Sequence, residues 1–179
     1  MNIAVYCSSS NHIAKNYLNT AFELGKWIAL NGHCLVFGGA TGGSMSSVSE
    51  GAASSNGKIT GVIPSAVVRM GRENSLCTEL ISVATMGERK ELLKAKSDIF
   101  IILPGSYGTL DELFDVLASA IVGEHKKPII ILNEDGFYND LLKQTERMRN
   151  EMFIPVENFK PLIANNLIEC CDFIQQNKL

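Results

Sequence analysis

Two runs, IFIIL at 99–103 and IIIL at 129–132, are apolar at every position. A strand with one wet face alternates apolar and polar residues, so an unbroken run of this kind belongs to a strand covered on both faces. The rest of the chain fits that demand. Short β-rich runs alternate with longer segments of helical period: IAVYC, a helix from Ala14 to Leu30, CLVFG, a helix from about Ser44, then KITGVIP and LISVAT. A helix from Met86, DIFIILP, a helix from Thr109, PIIIL, a helix near Phe137 to Arg149 and a last helix around Asn166 to Gln176 follow. Strict alternation predicts an α/β fold, a doubly wound parallel sheet with helices on both faces. In the first helix Leu18, Ala21, Phe22, Gly25 and Ile28 share one face at helical spacing, and that face is expected to pack on the sheet.

At 179 residues the chain can bury one full core, and residues 1–179 are read as a single nucleotide-binding-type domain. A formal net charge of -3 supplies no basic field for a polyanion, so a small ligand is expected rather than nucleic acid. The five cysteines (Cys7, Cys34, Cys77, Cys170 and Cys171) are odd in number and form no CxxC pair, which argues for reduced thiols and a cytoplasmic location. No run is long and apolar enough for a membrane span, and no signal-peptide pattern opens the chain.

In an open parallel sheet, ligands bind beyond the carboxyl ends of the strands. Three loops there carry chemistry: CSSSN with Ser8, GGATGGS with Gly39, and PGSYGT. GGATGGS, from Gly38 to Ser44, reads either as backbone amides open to an anion at a helix mouth or as a tight turn needing positive φ. It is neither a Walker A loop, having no Lys after its last glycine, nor a correctly placed GxGxxG. In LPGSYGTLDEL, Thr109 and Glu112 are spaced as a capping box, and Asp111 would also be favoured near a helix N-terminus. Glycines at 105 and 108 exceed what a cap needs. They suit a ligand with a phosphate for the loop amides and an electron-poor centre for a carboxylate. A nucleoside monophosphate is such a ligand, because cleaving its N-glycosidic bond passes through an oxocarbenium-like ribosyl centre. Asp111 and Glu112 point about 100° apart on a helix, so only one can face that centre. In MGERKELL, Met86, Arg89 and Leu93 fall at i, i+3 and i+7, which puts a guanidinium on the stripe that faces the sheet and calls for an anionic partner. Lys90 and Lys94 share a side that also reads as a solvated face.

MGERK and PGSYGTLDE together resemble the LONELY GUY (LOG) phosphoribohydrolases, often mislabelled lysine decarboxylases, in which an Arg-Lys pair on one helix precedes a PGGxGTxxE turn. The similarity runs from VYCSSS through GGATGGSM and GVIP to HKKPIIILNEDGFYNDLL. It implies a Rossmann-like fold, a homodimer, and hydrolysis of a nucleoside 5′-monophosphate, AMP or an N6-substituted AMP, to free base and ribose 5-phosphate without metal or other cofactor. Arg89 and Glu112 would be the catalytic pair. Lys90, Gly105, Ser106, Tyr107, Gly108, Thr109, Leu110 and Asp111 would line the nucleotide site, with Gly39 and Ser8 from the other loops. Ser106 departs from the usual second glycine, Gly87 from a common histidine, Thr85 from a common aspartate, and Ala118 and Ser119 from a threonine and a tryptophan. The rival reading is a nucleotide-binding or carrier protein that performs no hydrolysis. The helix from Leu110 to Val122 carries Leu110, Leu113, Phe114, Val116, Leu117, Ala118, Ala120, Ile121 and Val122, apolar on more sides than a sheet can cover, and its outer face is expected to meet the same helix of a second copy.

Overall fold

A computed structural model describes residues 1–154 and 159–175. Seven strands form one parallel sheet: β1 (Asn2–Tyr6), β2 (Cys34–Phe37), β3 (Lys58–Pro64), β4 (Glu79–Val83), β5 (Ile99–Ile102), β6 (Ile129–Leu132) and β7 (Leu162–Ala164). Their order is β4-β3-β2-β1-β5-β6-β7. The chain therefore builds outward from β1 in one direction, then returns to place β5 on the other side of it. In register, Ala4 has Val36 on one side and Phe100 on the other. The reversal between β1 and β5 opens a crevice at the carboxyl ends of the strands, where an α/β sheet receives its ligands.

The helices are α1 (Lys15–Leu30), α2 (Gly43–Ser54), the single turn α3 (Ser65–Val68), α4 (Met86–Lys96), α5 (Tyr107–Ile121), α6 (Asn139–Asn150) and α7 (Leu167–Gln175). Side chains of α1, α2 and α7 pack with Val5, Leu35 and Ile101 on one face of the sheet. Those of α4, α5 and α6 pack with Tyr6, Val36 and Phe100 on the other. The two apolar runs that opened the sequence reading are β5 and β6, buried at every position. The short strand β7 and the turn α3 were not expected. The expected end of the last helix, Gln176, lies outside the described residues. No helix among the described residues is long and apolar enough to cross a membrane.

The stripe expected to bind α1 to the sheet is divided in the fold. Ala21, Leu24, Gly25 and Ile28 are buried, whereas Leu18 and Phe22 are only half-buried. Gly25 faces α2 rather than the sheet: a β-carbon there would stand 1.9 Å from the carbonyl oxygen of Val48. The contact is reciprocal, since a β-carbon on Gly51 of α2 would stand 1.9 Å from the carbonyl oxygen of Phe22. Two glycines thus let the helix backbones touch. Gly25→Ala should force the helices apart and destabilise the protein by about 1–3 kcal/mol, as overpacking does, measurable as a lower midpoint in urea at unchanged slope.

Candidate active site

The α4 stripe is where the fold places its buried cation. Thr85 caps the helix by accepting the N–H of Glu88 at 3.1 Å, and the Glu88 carboxylate accepts the N–H of Ala84 at 2.9 Å. With the helix start set, Arg89 turns inward and is 5% exposed. Its Nε donates to the carbonyl of Val62 in β3 at 3.1 Å, and its Nη1 donates to Glu112 Oε1 at 2.5 Å. Gly38, just past β2, makes the room: a β-carbon there would lie 2.2 Å from Arg89 Nη2. Burying either charge alone would cost several kcal/mol, so each is the condition for the other.

Glu112 reaches this pair from α5, and it does so without the expected capping box. The helix begins at Tyr107, with Ser106 at its N-cap and no side-chain cap bond. Thr109 is therefore already inside the helix. Its side chain lies over Gly105, where a β-carbon would meet Thr109 Oγ1 at 2.1 Å, and Glu112 is engaged by Arg89. The Thr-x-x-Glu signature does form a cap in this chain, one helix earlier at Thr85 and Glu88. The adjacent acids separate as their spacing requires. Glu112 is buried, while Asp111 is exposed and accepts from Lys90 Nζ at 3.0 Å.

The two glycine-rich turns also separate. At the mouth of α2, Gly42 N–H donates to Ser46 Oγ, Gly43 N–H to Asn11 Oδ1 and Met45 N–H to the carbonyl of Ser8. Gly42 and Gly43 have φ of 108° and 49°, so the tight-turn reading accounts for GGATGGS. At the mouth of α5, the N–H groups of Tyr107, Gly108 and Thr109 have no protein acceptor among the described residues. These are the unpaired first-turn donors of a helix, and they favour an anion. A β-carbon on Gly108 would touch nothing within 4 Å. The protein's own packing thus gives no reason for a glycine at that position.

A cavity of about 190 Å³ lies across the crevice. It brings together Arg89, Glu112, Ser8, Ser106, Gly108 and Thr109 from the sequence reading. Gly39 does not line it; φ of 69° and close packing against Ile63 and Leu80 explain that glycine, and its neighbours Gly38 and Ala40 line the cavity instead. Lys90, Gly105, Tyr107, Leu110 and Asp111 are likewise outside the lining, Tyr107 being 91% exposed. Sequence reading missed the wall opposite the glycine turn, made by Pro64, Val67, Arg72 and Met86. Of these, Met86 was readable, since it shares the inward stripe with Arg89.

Burial raises the Glu112 carboxyl above the ordinary glutamate value of 4.5, the nearby Arg89 guanidinium opposing this without reversing it. Burial likewise pushes up the Cys7 thiol on the cavity floor, which leaves it a neutral wall rather than a nucleophile. Oε2 of Glu112 has no protein partner among the described residues and opens to the cavity. Unpaired helix N–H groups and a carboxylate of raised basicity therefore face one space.

The sequence model of a family described as possible lysine decarboxylase matches residues 45–169. A probable cytokinin riboside 5′-monophosphate phosphoribohydrolase of Oryza sativa subsp. japonica is 40% identical over 152 residues, 85% of this chain and 61% of that protein. This chain thus spans less than two thirds of that relative. A cytokinin riboside 5′-monophosphate phosphoribohydrolase of Arabidopsis thaliana is 38% identical over 152 residues, 85% of this chain and 71% of the relative. Among solved structures, the molybdenum cofactor binding protein of Rippkaea orientalis superposes with a TM-score of 0.73 at 26% identity, covering 99% of this chain and 97% of that one. The molybdenum cofactor carrier protein of Chlamydomonas reinhardtii has a TM-score of 0.74 at 22% identity over 98% of this chain and 96% of its own, a likeness of fold. With its Arg-Lys helix and glycine turn inside the matched span, the chain belongs to the family described as possible lysine decarboxylase, alongside these phosphoribohydrolases.

Proposed function

We propose that the chain hydrolyses the N-glycosidic bond of a nucleoside 5′-monophosphate, AMP or an N6-substituted AMP such as a cytokinin riboside monophosphate. The products are free base and ribose 5-phosphate. The observation that carries this reading is the buried Arg89–Glu112 pair, set in the crevice beside the unspent amides of Tyr107, Gly108 and Thr109. The names of the rice and Arabidopsis relatives support it.

In this reading the 5′-phosphate sits on the α5 amides, helped by the hydroxyls of Ser106 and Ser8. The base lies toward Pro64, Val67 and Met86. C1′ then falls near Glu112, whose free oxygen stabilises the developing oxocarbenium or draws a proton from water attacking C1′. The C1′–N bond breaks, a C1′–O bond to water forms, and the proton goes to the departing base. Arg89 fixes the carboxylate's orientation, and no carrier of electrons or groups is required. We assign Lys90, Gly105, Tyr107, Leu110, Asp111 and Gly39 supporting roles: the Lys90–Asp111 bridge holds α4 against α5, and Gly105 and Gly39 shape the turns. The five unpaired thiols fit a reducing compartment, and we place the reaction in the cytoplasm. A second reading, a carrier that holds a nucleotide-like ligand intact, draws on the likeness to the Rippkaea cofactor-binding protein. Release of free base from AMP decides between them.

For assembly we propose a homodimer about a two-fold axis. The outer face of α5 leaves Phe114 and Ile121 43% and 41% exposed. They border an apolar groove of about 280 Å³ with Leu141, Met148 and Phe159. Light scattering at micromolar concentration should give twice the 19.5 kDa chain mass; a monomer overturns the pairing.

Glu112→Gln keeps a hydrogen-bond acceptor for Arg89 but not its counter-charge, so it should melt several degrees lower, and its folded fraction should lose about two orders of magnitude in turnover. Normal turnover in that variant would end the catalytic role. AMP should exceed adenosine by at least about a hundredfold in kcat/KM, from two or three charged hydrogen bonds to phosphate; equal rates would remove the phosphate from the α5 turn.

Because the folded carboxyl of Glu112 holds its proton to higher pH than the unfolded one, its contribution to stability, relative to Glu112→Gln, should fall as pH rises from 4.5 through the raised value. Activity should rise over that interval as the carboxylate forms. Melting temperature and rate measured across the same buffers check both signs.

A further inference from the structure

Arg72 and Arg89 are the two cationic side chains on the cavity wall. Arg89 is spent on Glu112 and Val62, and Arg72 is not comparably spent. Its loop is laced to the exit of β2: Thr41 N–H donates to the Arg72 carbonyl at 2.8 Å, Asn74 N–H to the Gly39 carbonyl at 2.9 Å, and Arg72 Nη2 to the Thr41 carbonyl at 2.8 Å. A guanidinium offers five N–H donors. Among the described residues this single bond is the only one it makes to the protein, and no carboxylate pairs with it. The fold holds the residue in place and leaves most of its fork unused.

The unused donors face a second space. A cleft of about 540 Å³ adjoins the central cavity, and Ser9 and Arg72 form part of both walls. Its remaining lining includes Ser10, Asn11, His12, Thr41 and Ser46, with no carboxylate. Gly42 keeps the ground before the guanidinium open: a β-carbon there would stand 3.3 Å from both Arg72 Nη2 and Asn11 Oδ1, and 2.4 Å from the Ser9 carbonyl. Arg72 lines the central cavity together with Pro64, Val67 and Met86, the wall where the proposed function puts the base.

We propose that Arg72 determines specificity by receiving a carboxylate carried on the exocyclic substituent of the base. This rests on the hydrolase reading and ranks its substrates: AMP is hydrolysed, and among N6-substituted AMPs those whose substituent bears an anionic group are preferred over apolar ones. A planar fork matches a carboxylate with two parallel hydrogen bonds. The hydroxyl and amide wall of the cleft satisfies the remaining oxygen lone pairs. An apolar substituent in the same place would cover the guanidinium and leave it without a partner, so the residue rejects as well as selects.

The test compares AMP, N6-(1,2-dicarboxyethyl)-AMP and N6-isopentenyl-AMP on wild-type protein, Arg72→Gln and Arg72→Lys, reading both base release and melting temperature. In wild type the dicarboxyethyl nucleotide should exceed the isopentenyl one by about tenfold or more in kcat/KM, the size of a charge-assisted hydrogen-bond pair. Arg72→Gln should remove that advantage, and Arg72→Lys should retain part of it. Absence of the preference in wild type overturns the proposal. So does an equal loss on all three nucleotides in Arg72→Gln, which would make Arg72 a ligand of the shared 5′-phosphate. If no nucleotide releases base, yet the dicarboxyethyl compound raises the melting temperature above AMP in wild type and not in Arg72→Gln, the hydrolase reading fails and Arg72's role stands.

Discussion

A guanidinium and a carboxylate withdrawn from water are each unstable alone, and the architecture of the crevice is organised around keeping Arg89 and Glu112 together. The pair joins α4 to α5, and the third anchor, the Val62 carbonyl, ties both to β3. Glu112 lies five residues beyond Tyr107, about 7.5 Å along the helix axis. The amides at the helix mouth and the carboxylate are thus held about a turn and a half of helix apart. The acid is turned inward and neutralised by an arginine, so the amides see little of its charge.

The layered sheet was legible because its signal is local and repeated: unbroken apolar runs between helical segments. Arg89 was legible for the opposite reason, as a charge on a stripe that should be apolar. The two glycine turns were not separable by eye, because both have the composition of an anion loop. What distinguishes them is who takes the amides. Asn11 and the Ser8 carbonyl, more than thirty residues before α2, occupy its mouth, and among the described residues no such partner reaches α5. A contact of that range leaves no local trace.

Smaller misses have similar causes. The strand β7 has three residues, too few for a period to show, and α3 is a single turn. The capping signature points to Thr109 because the true helix start, at Tyr107 two residues earlier after an N-cap Ser106 that makes no side-chain bond, carries no such mark. In VVRMGRENS nothing local singles out Arg72. The bridge between Ala40 and Glu73 and the Arg72 bond to the Thr41 carbonyl bring that loop over the crevice.

Gly38 carries a consequence for how the molecule assembles. The space a side chain would fill there is taken by the guanidinium of Arg89, whose other anchor is a carbonyl of β3 and whose counter-charge arrives on α5. Three segments spread over more than seventy residues of chain must therefore dock before the arginine has anywhere to go. With β2 and β3 paired but α5 undocked, the guanidinium would lack its counter-charge. Under the function proposed above, the chemistry belongs to the finished molecule alone.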